Sequence, residues 1–353
     1  MNLDNTNKFK NIDSQNMLAE IDGLPDQLGI AWAAGQNFPL PAWDGIRCVI
    51  IAGMGGSAIG ADLLAAYVAP ISSGPVIVHR GYDLPAWAKG AETLVITSSH
   101  SGNTEETLSA FDSAVENECR ILAITTGGIL SEKSSKANAT LWKFDHQGQP
   151  RAAVGYSFGL LLAVFSRLGF IADPAEEVQD AISAMKAQQV DLTPDVSLAH
   201  NHAKSFAKQC VDRWVAVLGS GIMAPVARRW KGQISELAKA WAQFEFLPEA
   251  DHNTLAGVIN PKANLRQTMV FFLRSEVNHP RNQLRINLTK EIFATEGLNC
   301  DFFDAQGETR LAQLWTGLHF GDYMAYYLAM AYQADPSPVA AIEGLKARLK
   351  DGG

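Results

Sequence analysis

The sequence predicts an α/β protein built from two mainly parallel sheets, each flanked by helices in a three-layer αβα arrangement. Three observations predict it. Short, wholly apolar runs of strand length alternate with helix-length segments, as parallel strands covered on both faces require. A strand, a Gly-x-Gly-type turn and a helix occur twice, at 47–68 and at 214–235. The chain has 353 residues, more than one average domain.

Residues 1–16 read as a loose, polar lead. An amphipathic helix follows from about Asn16 to Gly35, with Leu18, Ile21, Leu24, Leu28 and Trp32 on one face and Pro25 placed to kink or split it. Strands are expected at Arg47–Ala52, Pro75–His79, Thr93–Thr97, Arg120–Thr125 and Thr140–Phe144. Helices are expected at Ser57–Val68 and Glu105–Asn117. Residues 145–152 form a polar, turn-rich break, and the apolar stretch Tyr156–Phe170 reads as a buried helix bridging two domains. Polar helices run on to about Gln209. The second pattern opens with a strand at Trp214–Gly219 and a long helix over Met223–Phe244. Strands at Thr268–Arg274 and Asn299–Phe303 and helices at Leu311–Tyr332 and Pro338–Leu349 complete it. The expected division is a helical lead over 1–45, a first domain over 46–152, connecting helices over 153–212 and a second domain over 213–353.

Composition narrows the function. A net charge of -8 argues against nucleic acid as the main partner, yet leaves room for a locally cationic site that takes a small phosphorylated ligand. Four scattered cysteines with no CxxC pair fit a reducing compartment. The polar start lacks a signal-peptide core, and no apolar run is long enough for a membrane span. A cytoplasmic protein with no membrane partner is expected.

Two loops carry the strongest signal. Gly53-Met54-Gly55-Gly56-Ser57-Ala58 lies between a strand and a helix, where backbone N–H groups favour an anion and glycines let it approach. Its spacing also fits the dinucleotide fingerprint G-x-G-x-x-A, but the second strand then ends at His79-Arg80-Gly81 without the acidic residue a ribose needs. A merely structural turn is the third reading. Ser99-His100-Ser101-Gly102-Asn103-Thr104 follows the third strand and opens a helix. One of these polar residues would suffice as a helix cap, and four within six positions favour phosphate binding.

Together the two loops resemble a SIS domain, the sugar-isomerase module. Arg229-Trp230-Lys231-Gly232-Gln233-Ile234-Ser235-Glu236-Leu237-Ala238-Lys239 and Pro248-Glu249-Ala250-Asp251-His252-Asn253 resemble the bifunctional phosphoglucose/phosphomannose isomerase family, whose members commonly read R-W-K-x-Q-x-N-E-x-x-K and P-E-x-D-H-N. The resemblance covers nearly the whole chain from about residue 17. Departures occur at Ser235, where asparagine is frequent, at His100, where tyrosine is common, and at Ser337, where threonine is often found.

The resemblance implies two SIS-type subdomains and reversible isomerisation of glucose 6-phosphate and mannose 6-phosphate with fructose 6-phosphate through a cis-enediol. It implies Gly55, Gly56, Ser57, Ser99, Ser101 and Thr104 around the phosphate. Glu236 is implied as the C1–C2 proton carrier, His252 as the ring-opening group, Arg151 as the enediolate partner and Lys346 as a tail lysine near the ligand. It links Ser337 to tolerance of both C2 epimers. It also implies a homodimer in which the histidine comes from the neighbouring subunit, so the active site sits at the interface. Each residue alone has a plainer reading: Glu236 a surface glutamate paired with Lys239 or Lys231, Arg151 and Lys346 solvated cations. No cofactor is expected. No metal is expected either, since neither HExxH nor CxxC occurs and neither His200/His202 nor Asp145/His146 has a third ligand beside it. Two alternatives stay open: a non-catalytic SIS sensor of sugar phosphates, and a SIS isomerase acting on a pentose or amino-sugar phosphate.

Overall fold

The computed structural model describes residues 2–351. Its helices and strands follow the chain as α1 (Phe9–Ile12), α2 (Met17–Asp22), α3 (Leu24–Asn37), β1 (Cys48–Ala52), α4 (Gly55–Val68), β2 (Val76–His79), β3 (Thr93–Ser99), α5 (Glu105–Glu116), β4 (Arg120–Thr125), α6 (Gly128–Lys136) and β5 (Thr140–Lys143). Then come α7 (Val154–Arg167), α8 (Ala175–Gln189), α9 (His202–Cys210), β6 (Trp214–Ser220), α10 (Met223–Glu236), β7 (Ala242–Leu247), α11 (Lys262–Arg266), β8 (Thr268–Arg274), α12 (Pro280–Thr295), β9 (Asn299–Asp304), α13 (Arg310–Tyr332) and α14 (Ala340–Asp351).

Both sheets are wholly parallel. The first runs β2-β1-β3-β4-β5 and the second β7-β6-β8-β9. Every residue of β3 is buried, which is why this strand carries no polar alternation. In each sheet the first strand in sequence, β1 or β6, is flanked by the next two, so the loops after it stand beside the loops after its neighbours. Ala52 pairs with Thr97 at the β1–β3 seam, which sets Gly53 next to Ser98 at the sheet edge.

Two expectations change, and that for Pro25 is met. The lead is anchored: Leu3 and Phe9 are buried, Phe9 packs its edge on Tyr326, and Asp4 accepts hydrogen bonds from the Leu198 amide (2.7 Å) and from buried Lys204 Nζ (3.2 Å). Pro25 splits the first amphipathic helix by standing at the start of α3, where its missing N–H costs nothing. The long helix expected over Met223–Phe244 stops at Glu236. Lys239 turns the chain with φ 55°, and Ala242–Leu247 becomes the edge strand β7. Its alternation of Phe244 and Phe246 with polar residues is strand periodicity, and lysine at the turn gave no glycine-like signal for the break. The buried helix expected over Tyr156–Phe170 forms as α7, almost wholly buried. Helix α7 packs on α3 and α4 and meets α13 through Phe158 against Trp315. Helix α13 is buried almost all round from Leu311 to Met330 and packs against α8, α9 and α10.

On α13 the His319 ring is fully buried, and its Nε2 donates to the Ile21 carbonyl at 2.8 Å. Burial pushes this imidazole down to about 4, against the opposing hydrogen bond to Ile21 and the charge of Asp322. The unfolded chain therefore binds this proton more readily than the folded one. The associated stability is complete above the unfolded value near 6.5 and is lost as pH falls towards 4, by on the order of 3 kcal/mol. Urea-unfolding midpoints should decline over that window, and His319→Gln, which can still donate to Ile21, should decline less steeply.

Candidate active site

A cleft of about 280 Å³ opens where the first sheet meets α10. Gly55 and Gly56 form one wall at the start of α4. Arg80 follows β2, Arg151 lies in the short turn before α7, and Arg228 and Glu236 come from α10. The structure thus brings together four residues singled out in the sequence: Gly55, Gly56, Arg151 and Glu236.

Close backbone approach explains one glycine. A Cβ on Gly56 would stand 2.4 Å from the Pro150 carbonyl oxygen and 3.1 Å from Arg151 Cα. Only a residue without a side chain lets α4 start against the turn that carries Arg151. No side chain caps the N-terminus of α4, so its first amides face the cleft end without an intramolecular side-chain partner.

Arg151 is buried and rigidly held. Its Nη2 donates to the carbonyls of Pro336 (2.7 Å) and Ser337 (2.5 Å), and its Nη1 donates to Gln149 Oε1 at 3.3 Å. Nη1 also stands 3.8 Å from Glu236 Oε2. Desolvation lowers the guanidinium from its ordinary value, Arg229 adds to this, and the Glu236 charge works against it. Arg151 Nε has no partner and Ser337 Oγ, fully buried, has none either. Glu236 closes α10 with its side chain about one-third exposed. Its predicted pairing with Lys239 takes another form: Lys239 Nζ bonds the Glu236 carbonyl at 2.5 Å and leaves the carboxylate to the cleft.

Two arginines in this cleft escaped the sequence analysis. Asp62 on α4 accepts from Arg80 Nη1 (3.0 Å) and Nη2 (2.5 Å) and from Arg228 Nη1 (2.7 Å). The Arg228 guanidinium lies 4.9 Å over the Phe244 ring. One carboxylate shared by two guanidinium groups leaves excess positive charge, suited to an oxyanion ligand. The available signal was Arg80 itself, directly after β2. A cation stands where a dinucleotide site needs an acid, which argues against that reading of the Gly-rich turn.

The Ser99–Thr104 loop borders the glycine turn, and the space for a Cβ on Gly53 is closed by the Ser98 carbonyl at 2.7 Å. Ser99 Oγ donates to Thr104 Oγ1 (2.9 Å) and accepts from the Gly102 amide (3.1 Å), while exposed Ser101 accepts from the Asn103 amide (3.3 Å). Gly102 has φ 68° and passes so near the Gly127 carbonyl that no Cβ fits. Thr104 occupies the N-cap of α5 without its side chain bonding the helix amides. The capping alternative for this loop is therefore not realised at that position. Ser57 is buried in the first turn of α4.

His252 and Lys346 are not brought to the cleft by their own chain. His252 is exposed in a short turn after β7, next to Asp251, which accepts from Arg285 (2.8 Å) and Thr289 (2.8 Å) of α12. Lys346 is exposed on α14. Among the described residues, no group of three or more His, Cys, Asp or Glu side chains is arranged to hold a metal ion, and no helix is long and apolar enough to cross a membrane.

Residues 199–349 match the bacterial phospho-glucose isomerase C-terminal SIS domain. The bifunctional phosphoglucose/phosphomannose isomerase of Caldicellulosiruptor bescii is 38% identical over 339 residues, which cover 95% of this chain and 99% of that protein. The chain belongs to the bifunctional phosphoglucose/phosphomannose isomerase family. The Aquifex aeolicus member is 32% identical across 86% of this chain and 90% of its own length. In fold, the chain resembles the C-terminal domain of glucosamine-fructose-6-phosphate aminotransferase from Francisella tularensis, with a TM-score of 0.71 over 92% of this chain and 97% of that one, at 12% identity.

The Gly56 contact yields a direct test. Gly56→Ala must push α4 away from the Pro150–Arg151 turn. Calorimetric titration should then give a weaker dissociation constant for inorganic phosphate, with an unfolding free energy reduced by about 1–3 kcal/mol.

Proposed function

We propose that this protein interconverts glucose 6-phosphate, and mannose 6-phosphate, with fructose 6-phosphate. The observation that carries the reading is the Glu236 carboxylate 3.8 Å from the Arg151 guanidinium, across from the glycine turn, in a chain of this family. The phosphate is held by the N-terminal amides of α4 and the hydroxyls of Ser57, Ser99, Ser101 and Thr104, with Arg80 and Arg228 adding positive charge. Anchoring there sets the sugar chain across the cleft towards α10.

His252 opens the pyranose by giving a proton to the ring oxygen as the C1 hydroxyl loses one. Glu236 then takes the proton from C2 of the aldose. The electron pair moves to form the C1–C2 double bond, and the C1 oxygen gains a proton to complete the cis-enediol. Arg151, whose remaining donor directions are fixed by the Pro336 and Ser337 carbonyls, stabilises the negative oxygen that develops in this step. Return of the proton to C1 as the C2 hydroxyl becomes a carbonyl gives the ketose. Glucose and mannose 6-phosphates differ only at C2, so both feed the same enediol. Ser337, with its buried hydroxyl lacking an internal partner beside Arg151, is positioned to sense that difference.

The site is shared between two copies of the chain. Supporting this is the place of His252, exposed and away from its own Glu236. Beside that turn, Leu284, Leu288 and Ile292 recur every fourth residue of α12 and are all exposed. Helix α14, which carries Lys346, is exposed from Ala340 to Leu349, including Ile342, Leu345 and Leu349. A partner subunit covering these faces would bring His252 to the neighbour's cleft.

Glu236→Gln should abolish exchange of the C2 proton with solvent while phosphate binding stays near that of the unaltered protein. Exchange that survives would remove Glu236 from the role of base. Mixed dimers test the shared site. Co-expressed Glu236→Gln and His252→Ala chains should regain about a quarter of the full activity, because half the dimers are hybrids and each hybrid holds one intact site. No recovery would place both residues of a site in one chain.

A further inference from the structure

Behind the phosphate loop lies a hydrogen-bonded chain of three side chains that the reaction described above does not use. Glu20 Oε2 stands 3.3 Å from His146 Nε2, and His146 Nδ1 stands 2.9 Å from His100 Nε2. The three residues come from α2, from the segment between β5 and Arg151, and from inside the Ser99–Thr104 loop. His146 is nearly buried, with its side chain 9% exposed. Aromatic edges fix both rings: His146 against Tyr156 at 5.5 Å, His100 against Phe144 at 5.9 Å, with Phe144 and Tyr156 stacked at 5.0 Å. The backbone also makes room for the chain. A Cβ on Gly148 would meet Glu20 Oε1 at 2.7 Å and His146 Cε1 at 2.8 Å.

The chemistry of the donors gives the chain a direction. A carboxylate only accepts, so His146 donates to Glu20 through Nε2–H, and in the neutral ring its Nδ1 is then the acceptor. His100 must then donate through its Nε2–H. Burial pushes the His100 imidazole down to about 4, with the His146 ring acting in the same direction and Glu20 against it. His100 is thereby neutral at ordinary pH, and its Nε2–H tautomer fills the donor role in the chain. The His100 carbonyl in turn accepts from Thr126 Oγ1 at 2.7 Å, so this residue is held at both its ring and its backbone.

We propose that Glu20, His146 and His100 are positioning residues for substrate binding, an internal brace that holds the Ser99–Thr104 loop at the spacing from the Arg151 segment that a sugar phosphate needs. The brace touches neither the phosphate nor the reacting carbons. It orders the loop before the ligand arrives, which lowers the entropy lost on binding. Neither Glu20 nor His146 can be replaced by a residue that fails to continue the chain, but glutamine at 20 can, since its Oε1 still accepts from His146. The inference rests on the reading of Ser99–Thr104 as the phosphate anchor.

The test uses the full chain, with inorganic phosphate and fructose 6-phosphate as probes. His146→Phe keeps the ring volume and the Tyr156 contact but removes both nitrogens. It should weaken the dissociation constant for phosphate and raise KM about tenfold, the effect of one or two lost hydrogen bonds, with kcat lowered by less than about threefold. Glu20→Ala should behave in the same way, and Glu20→Gln should stay within about twofold of the unaltered protein on both measures. The Glu20 pair decides the matter alone if His146→Phe reduces the yield of folded protein. Unchanged phosphate affinity and KM in His146→Phe or in Glu20→Ala, beside an active unaltered protein, would overturn the brace. So would equal losses in Glu20→Gln and Glu20→Ala. An unaltered protein that neither binds phosphate nor turns over the sugar would instead overturn the functional reading on which the brace depends.

Discussion

The seating of α10 on α13 is the constraint on which the rest of the site depends. Arg229 and Asp322, both almost fully buried, meet in a two-pronged ion pair at 3.0 and 2.7 Å. One residue on, Trp230 donates to the Gly317 carbonyl at 2.8 Å and lies so close to Gly321 that a Cβ there would sit 2.1 Å from its Nε1. The indole stacks on Phe320 at 5.6 Å. Removing one member of such a buried pair strands the other charge out of water, a cost of about 3–5 kcal/mol. The arrangement therefore permits a single rotation of α10 about its axis. That rotation sends Arg228 to Asp62 on α4 and ends the helix with Glu236 opposite Arg151.

The same helix joins the two sheets. Arg228 reaches the first through Asp62 and the second through the rings of Phe244 and Phe246 on β7. The cleft is a consequence of this placement. Its cations come from both halves, Arg80 and Arg151 from the first and Arg228 from α10, and its carboxylate from the second. In the proposed reading, a phosphate among Arg80, Arg228 and the helix amides would leave Arg151 to face Glu236, separating the charge that anchors the ligand from the charge that moves the proton. On the far side of the Ser99–Thr104 loop, the Glu20–His146–His100 chain is a second, partly buried polar system. Polar chains of this kind are costly unless every member is paired, and here each is.

Much of this was legible in the sequence because the signals were local. Strands β1, β3, β4, β6 and β8 are buried on both faces, so they appear as unbroken apolar runs whatever surrounds them. The glycine turn and the Ser99–Thr104 loop are contiguous motifs with a backbone reason for each glycine. The errors arose where a local signal was weak or ambiguous. Strand β7 is an edge strand preceded by helical sequence, and its turn is made by Lys239 in the left-handed region, a conformation lysine does not announce. The lead looked polar on average, yet Leu3 and Phe9 suffice to dock it. Arg80 and Arg228 had no motif of their own, since their importance comes from sharing Asp62.

The sequence by itself determined the two parallel sheets, and it singled out the glycine turn, the Ser99–Thr104 loop and the candidates Glu236, Arg151 and His252, since each depends on neighbours within a few residues. Tertiary structure alone decided which of these meet. It placed Arg151 within 3.8 Å of Glu236 and bound it to the backbone of 336 and 337, while leaving His252 and Lys346 at the surface. The physical reason is separation along the chain. Residues 151, 236 and 336 are drawn together by the packing of α10 and α13 in the shared core, and Glu20, His100 and His146 by the docking of α2 and two loops around the rings of Phe144 and Tyr156. No pattern of spacing in the sequence encodes either convergence.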